Sequence, residues 1–359
     1  MKNSSMQKGF SVIELMVALL LGLFLVSGVT AMYISSKQTY RMTDNLARIQ
    51  ESLRYSVEFI SRDIRMAGYL PCRFPPIVNN AVTNGTSTWF LDFFNSGIRG
   101  YEGGSSTFPT EISSDVVAGS DAVAILKGGL YSMSVGLLDD STNTFTVQGS
   151  FPSNEFQQGE IAIACDPRQA SLFQIQNSSP GNSTTDGTIS FANNTNIAPG
   201  NTTTAIGSYG DDAQITPYEP VIYFVAPSTQ DPTVNSLKKR YLQARLSGGN
   251  QTAVMWEEEL IEGVESMQIL YGLDINNDQI ADRFETAATI AATEWLNVIS
   301  VRLGLLMATG DEVVTQADTG TYNVAGTLIS DSSIPAHGGD RRLRYVVNTT
   351  INLRNRVAN

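Results

Sequence analysis

Residues 8–28 read KGFSVIELMVALLLGLFLVSG. They decide the fold. With the apolar residues that follow to Ile34, the run from Val12 gives about 23 residues, or roughly 34 Å of helix, enough to cross a bilayer. Glu14 stands inside that run. An ionisable side chain at a bilayer centre costs at least about 2.5–3.5 kcal/mol on insertion scales. A carboxylate kept there needs either a charged partner or a place near the interface.

The rest of the composition narrows the function. The chain has 359 residues, enough for two or three average domains or one large β-rich one, and is 42% hydrophobic, which supports a sizeable core. Residues 1–73 hold nine Lys or Arg against five acids, while the whole chain carries a net charge of −12, so the remainder carries −16. An acidic body argues against direct nucleic-acid binding, which needs a basic surface. The only histidine is His337 and the only cysteines are Cys72 and Cys165, which leaves little for zinc or for a nucleophile–histidine site. Carboxylate-only catalysis has no convincingly spaced acid pair, so an enzyme is not expected.

The N-terminus admits three readings. A signal peptide would be cut after Ala31, where Val29-Thr30-Ala31 ends on a small residue. A plain membrane anchor would keep the whole segment. A cut between Gly9 and Phe10 would remove MKNSSMQKG, a short, polar, basic leader. The order Lys8-Gly9-Phe10-Ser11-x-x-Glu14 ahead of an apolar run resembles the type IV prepilin signature. A signal peptide has no use for an acid at the third place of its apolar region. The resemblance implies that Gly9, Phe10 and Glu14 are the processing residues, and that a prepilin peptidase cuts the chain and methylates the new amine. The cut leaves an α-ammonium on Phe10. In a bundle of such helices that cation can sit beside Glu14 of a neighbour and offset its burial, and so help set the stagger between subunits. The alternative leaves Glu14 merely reaching toward the interface.

Helical periodicity outlasts the apolar run. Met42, Leu46, Ile49, Leu53, Val57, Ile60, Ile64 and Ala67 recur every three or four residues and form one stripe, and Gly68 and Pro71 supply a stop. One helix from Phe10 to about Ala67, roughly 87 Å long, is expected. The segment Gln38-Thr-Tyr-Arg through Arg62-Asp-Ile-Arg-Met-Ala-Gly-Tyr69, with Cys72 after it, resembles the PilW family of minor type IV pilins. So do Glu160-Ile-Ala-Ile-Ala-Cys165, Ser171-Leu-Phe-Gln-Ile, Leu260-Ile-Glu-Gly-Val-Glu-Ser-Met-Gln-Ile-Leu-Tyr-Gly272, Asn297-Val-Ile-Ser-Val-Arg-Leu and Ile351-Asn-Leu-Arg-Asn-Arg. The expected organisation is α+β. A leader (1–9), a transmembrane or filament-core half helix (10–34) and an amphipathic half (35–69) precede a mainly antiparallel β head (70–359).

Strands are expected at 121–127, 131–137, 143–148, 160–165, 171–176, 220–226, 238–246, 253–260, 264–272, 297–308 and 343–354. Residues 177–205 are low in complexity and read as an exposed loop or floppy hairpin. Outside the cytoplasm Cys72 and Cys165 would pair and tie the helix end to the sheet; otherwise they are two buried thiols. Asp274, Asn276, Asp278, the Ile280 carbonyl, Asp282 and Glu285 fall at places 1, 3, 5, 7, 9 and 12 of an EF-hand-type calcium loop. Gln279 stands at place 6, where glycine is usual. The other reading is an Asn/Asp turn. Glu257-Glu258-Glu259 reads as a solvated edge, Arg341, Arg342 and Arg344 as surface charges, and His337 as part of a flexible stretch.

The resemblance implies a minor pilin that helps start assembly in a tip or priming complex. Its partners would be other minor pilins, the major pilin, the inner-membrane assembly platform and a PilY-type tip adhesin. It would sit in the inner membrane by one span with its head in the periplasm, then at the cell surface in a pilus serving, among other roles, adhesion. A type II secretion pseudopilin shares the signature, and a Sec-secreted calcium-binding β adhesin cut after Ala31 is the reading from another class.

Overall fold

The computed structural model describes residues 9, 11–72, 77–83, 88–104, 108–193, 197–247, 250–334 and 336–355. Phe10 and the rest of the leader, 1–8, lie outside the described residues.

Helix α1 (Val12–Arg65) is a single 54-residue element. Its apolar first half is exposed; Val12, Leu20 and Phe24 are among the side chains that touch nothing of the head. By length and composition it can cross a membrane. The amphipathic stripe is buried only from Ile49 onward: Ile49, Leu53, Ile60, Ile64 and Ala67 are inside, whereas Met42 is 42% exposed. Packing therefore begins later than the periodicity does. The helix stops where expected. Gly68 takes φ 71°, its N–H donates to the Leu126 carbonyl, and a Cβ on Gly97 would lie 2.6 Å from the Gly68 Cα, so both positions require glycine.

The strands follow in chain order: β1 (Ile77–Asn80), β2 (Ile98–Tyr101), β3 (Ala122–Ile125), β4 (Met133–Asp139), β5 (Thr144–Val147) and β6 (Ile161–Cys165). Next come β7 (Gln169–Gln174), β8 (Asn177–Ser179), β9 (Gly187–Ser190), β10 (Gln214–Pro217), β11 (Val221–Pro227), β12 (Asn235–Ser247) and β13 (Asn250–Glu262). The last are β14 (Val264–Leu273), β15 (Arg283–Glu285), β16 (Val298–Glu312), β17 (Tyr322–Val324), β18 (Thr327–Ile329) and β19 (Arg342–Asn352). They make an eight-stranded sheet β1-β7-β6-β10-β4-β5-β9-β8, a five-stranded sheet β13-β12-β11-β3-β2, a four-stranded sheet β15-β14-β16-β19 and the β17–β18 hairpin. Every pairing is antiparallel except β1 with β7. The α+β architecture expected from the sequence is the observed one.

The α1 stripe, the four-stranded sheet and the five-stranded sheet share one core, with Tyr223, Val225, Met267, Tyr271, Leu303 and Ile351 packed beneath Ile60 and Ile64. The eight-stranded sheet is a lobe with its own aromatic core. Phe145, Phe173 and Phe191 lie with ring centroids 5.1–5.7 Å apart.

Three surface readings change. The stretch 177–205 supplies a hairpin of edge strand β8 and its inner neighbour β9, and Asn201 within it is buried. Asn201 Oδ1 accepts from the Gln174 N–H at 2.7 Å and its Nδ2 donates to the Gln174 carbonyl at 2.9 Å, which pins the stretch against β7. Arg344 is no surface charge. Its side chain is 0% exposed and bridges Glu265, Asp318 and Asp340 at 2.8–3.1 Å. Composition could not separate it from its exposed neighbour Arg341. His337 is likewise buried. The Gly339 N–H donates to its Nδ1, so Nε2 carries the proton and donates to the Gly320 carbonyl at 2.9 Å.

Candidate functional site

The assembly element comes first in the chain. Gly9 is exposed and Ser11, in extended backbone, is the N-cap of α1. Glu14 lies in the first turn, exposed, where the helix dipole favours an anion. The structure thus places Glu14 one turn from the expected cut, on a helix whose apolar side chains point outward all round it.

At its other end α1 carries the head through a joint that sequence reasoning missed. Asp63 accepts a hydrogen bond from Tyr223 Oη at 2.6 Å and pairs with Lys127 at 3.3 Å; Lys127 also pairs with Glu219 at 2.9 Å. Burial alone would lower the Lys127 ammonium, but Asp63 and Glu219 outweigh it and raise it. Glu160, beside this joint, is pushed up to about 7 by burial, reinforced by Glu155 and Glu219. The joint links helix, five-stranded sheet and lobe. Cys72 and Cys165 add a covalent link. They form a disulfide with Cα atoms 6.1 Å apart, among Leu70, Leu126, Ile163 and Leu172. The pairing read from the sequence is present.

A second missed feature is a charge ladder. Lys238, Lys239 and Arg240 on β12 stand opposite Glu259, Glu258 and Glu257 on β13. Lys238 pairs with Glu257 at 3.0 Å, Lys239 with Glu258 at 2.9 Å, and Arg240 with both Glu257 and Asp115 at 2.6 Å. The acidic run is a solvated edge only on one side; on the other it is neutralised strand to strand. The signal was available, because the two triplets are symmetric about Gly248-Gly249 in the sequence.

The loop after β14 gathers most of the residues expected at a calcium site. Both Asp274 oxygens accept backbone N–H groups, from Asp278 at 3.2 Å and Gln279 at 2.8 Å. Asn276 Nδ2 stands 3.2 Å from an oxygen of Asp278 and 3.2 Å from one of Asp282. Asp278 also accepts from the Ile280 N–H, and Asp282 from Ile275. Glu285 is not brought in. It lies on β15, accepts from Thr289 Oγ1 at 2.8 Å and pairs with Arg283. Among the described residues, no three His, Cys, Asp or Glu side chains are grouped as a ready metal site.

Residues 222–355 match the family described as Type IV Pilus-assembly protein W, and residues 4–30 match the Prokaryotic N-terminal methylation motif. The two matches support a type IV pilus-related pilin, with a PilW domain over residues 222–355. They point to a structural pilin and not to an enzyme. Comparison with curated proteins and with solved structures finds no match. The matched segment of this pilin runs from β11 through β19 and holds the four-stranded sheet on which α1 lies. All eight strands of the lobe fall between residues 77 and 217, outside both matches, as do Glu160–Cys165 and Ser171–Ile175.

Proposed function

We propose that this pilin is a minor one that helps start assembly, in a tip or priming complex with other minor pilins. The observation that carries the reading is the division of α1. Its first half offers apolar surface all round for a helix bundle, while its last turns bury one stripe, from Ile49 to Ile64, against the head. The lobe meets α1 at its far end, around Arg62, Met66 and Leu130. Bulk there hinders another subunit from stacking above, which suits a terminal position. The partners are other minor pilins, the major pilin, the assembly platform and a PilY-type adhesin. The head is periplasmic before assembly and at the cell surface after it. Intact mass and N-terminal peptide analysis of the membrane-purified protein are expected to find a methylated Phe10 start. A start at Met32 would overturn the reading. Glu14→Leu is expected to be cut normally yet to enter filaments poorly; equal incorporation would remove the pairing role of Glu14.

We also propose that the loop takes Ca²⁺ through Asp274, Asn276, Asp278, the Ile280 carbonyl and Asp282. What favours it is the backbone at place 6. Gln279 adopts φ 69°, the left-handed turn that place requires, so the absent glycine does not block the loop. Holding the ion would require Asn276 to turn its Oδ1 toward the carboxylates, and Glu285 to leave Thr289 or be replaced by water. Weak binding, on the order of 10⁻⁴–10⁻³ M, is expected by calorimetry, with loss in Asp274→Ala. No heat at millimolar Ca²⁺ would end the proposal.

A further inference from the structure

Long unpaired strand edges invite pairing with another chain, and folded proteins blunt them with charge, shortness or a cover. This head blunts nearly all of its edges. Among the described residues, β1 and β2 have four residues each and β8 and β15 three. The 13-residue edge of β13 carries Glu257, Glu258, Glu259 and Glu262 in its second half, and in its uncharged first half the Ala253 N–H already donates to the Ala198 carbonyl. The exception is β19. It pairs with β16 on one side and with no strand on the other, and from Tyr345 to Asn352 it reads YVVNTTIN, without a charge.

The open edge borders a groove of about 830 Å³ between β19 and α1. Tyr345, Val347 and Thr349 form one wall, and Leu53 and Val57 stand on the helix side. The groove is basic in a chain that is acidic overall. Arg54, Arg62, Arg65 and Arg354 line it, all exposed, and none forms an ion pair among the described residues; Glu58 is its one acid. By contrast Arg240, Arg283, Arg341 and Arg344, elsewhere in the head, are each paired with a carboxylate. An uncharged edge beside unneutralised cations is a template for an extended chain of opposite sign.

We propose that the free edge of β19, with the groove beside α1, takes an extended acidic segment of a partner protein as an added strand. Main-chain bonds to β19 would hold it, apolar side chains would enter between Val347 and Val57, and carboxylates would meet the arginines. The inference goes beyond the pilin reading and does not depend on a place in the filament.

The test uses the full chain in detergent and a synthetic peptide that alternates valine and glutamate. Controls are the same peptide with lysine for glutamate, and one N-methylated at alternate amides. Hydrogen–deuterium exchange is expected to show Tyr345–Asn352 protected by the glutamate peptide alone. Arg62→Glu with Arg65→Glu, both on the exposed helix face, is expected to weaken that peptide roughly tenfold or more and to admit the lysine peptide. Equal protection by all three peptides, or by none, would overturn the proposal. So would protection that rises with protein concentration in the absence of peptide, which would make a second copy of this chain the occupant.

Discussion

The double substitution Cys72→Ala with Cys165→Ala is expected to cost the head roughly 4–5 kcal/mol in denaturant unfolding, the largest loss from any pair of side chains of this size. The bridge closes 93 residues of chain, and in the chain-entropy account the denatured ensemble gains that freedom when the bridge is lost. The loop so closed contains half of the lobe's strands, β1, β4, β5 and β6, together with β2 and β3 of the neighbouring sheet. Loss should therefore fall first on the seam between α1 and the lobe. Limited proteolysis is expected to cut between Cys72 and Cys165 in the variant and in reduced wild type alike. Alanine is preferred to serine because Cys165 is fully buried among apolar side chains, where an unpaired hydroxyl adds its own penalty. A loss under about 1 kcal/mol would show that the Asp63–Lys127–Glu219 joint and the surrounding core hold the lobe without the covalent link.

Arg344→Ala is the second large effect expected, about 3–5 kcal/mol, because it leaves Glu265 and Asp318 without a cation and Asp340 with Arg342 alone. The pH dependence carries a definite sign. Burial alone would raise the Asp318 carboxyl, but the Gly320 N–H, the Tyr322 hydroxyl and Arg344 outweigh it and hold it below the usual carboxylate range. Burial would raise Asp340 too, and there the Arg342 N–H and Arg344 prevail. Groups lowered on folding contribute stability above their unfolded pKa and lose it as pH falls through the folded one. Wild-type protein should therefore lose this contribution only in acid, below about pH 4. In Arg344→Ala it should already be absent at neutral pH, and mild acid should restore part of the loss by protonating the unpaired acids. Arg344→Met, which keeps the bulk, is expected to show the same restoration. A variant indifferent to pH between neutral and mildly acid would mean that the carboxylates had moved into solvent.

The long elements were legible because their signals are long. The helix declares itself by 23 apolar residues and a stripe of eight, and β16 and β19 by extended β-branched runs. What escaped is short or defined only by a distant partner. Strand β10 is four residues ending in Pro217, and β1 pairs in parallel with β7, nearly a hundred residues on; neither leaves a periodic trace. Asn201 sits in a stretch of polar residues that looks solvated, yet its amide finds the backbone of Gln174. Arg344 is separated from Arg341 only by what the fold brings against it: the β16–β19 pairing, Glu265 on β14 and the Asp318 turn. The N-terminal motif was readable because its signal lies in the local order of the chain, over the residues 4–30 that match the methylation motif.

The division of α1 also sets how the protein would carry load. A pull directed along the helix enters through the exposed half and leaves through the face of Ile49, Leu53, Ile60 and Ile64 against the sheets. That contact is strained in shear, with all its rows sharing the force, and the helix would have to slide along its whole buried length to come free. The disulfide lies a few residues past the last row. It meets the same pull after the stripe has done so, and acts as a stop against peeling the lobe from the end of the helix.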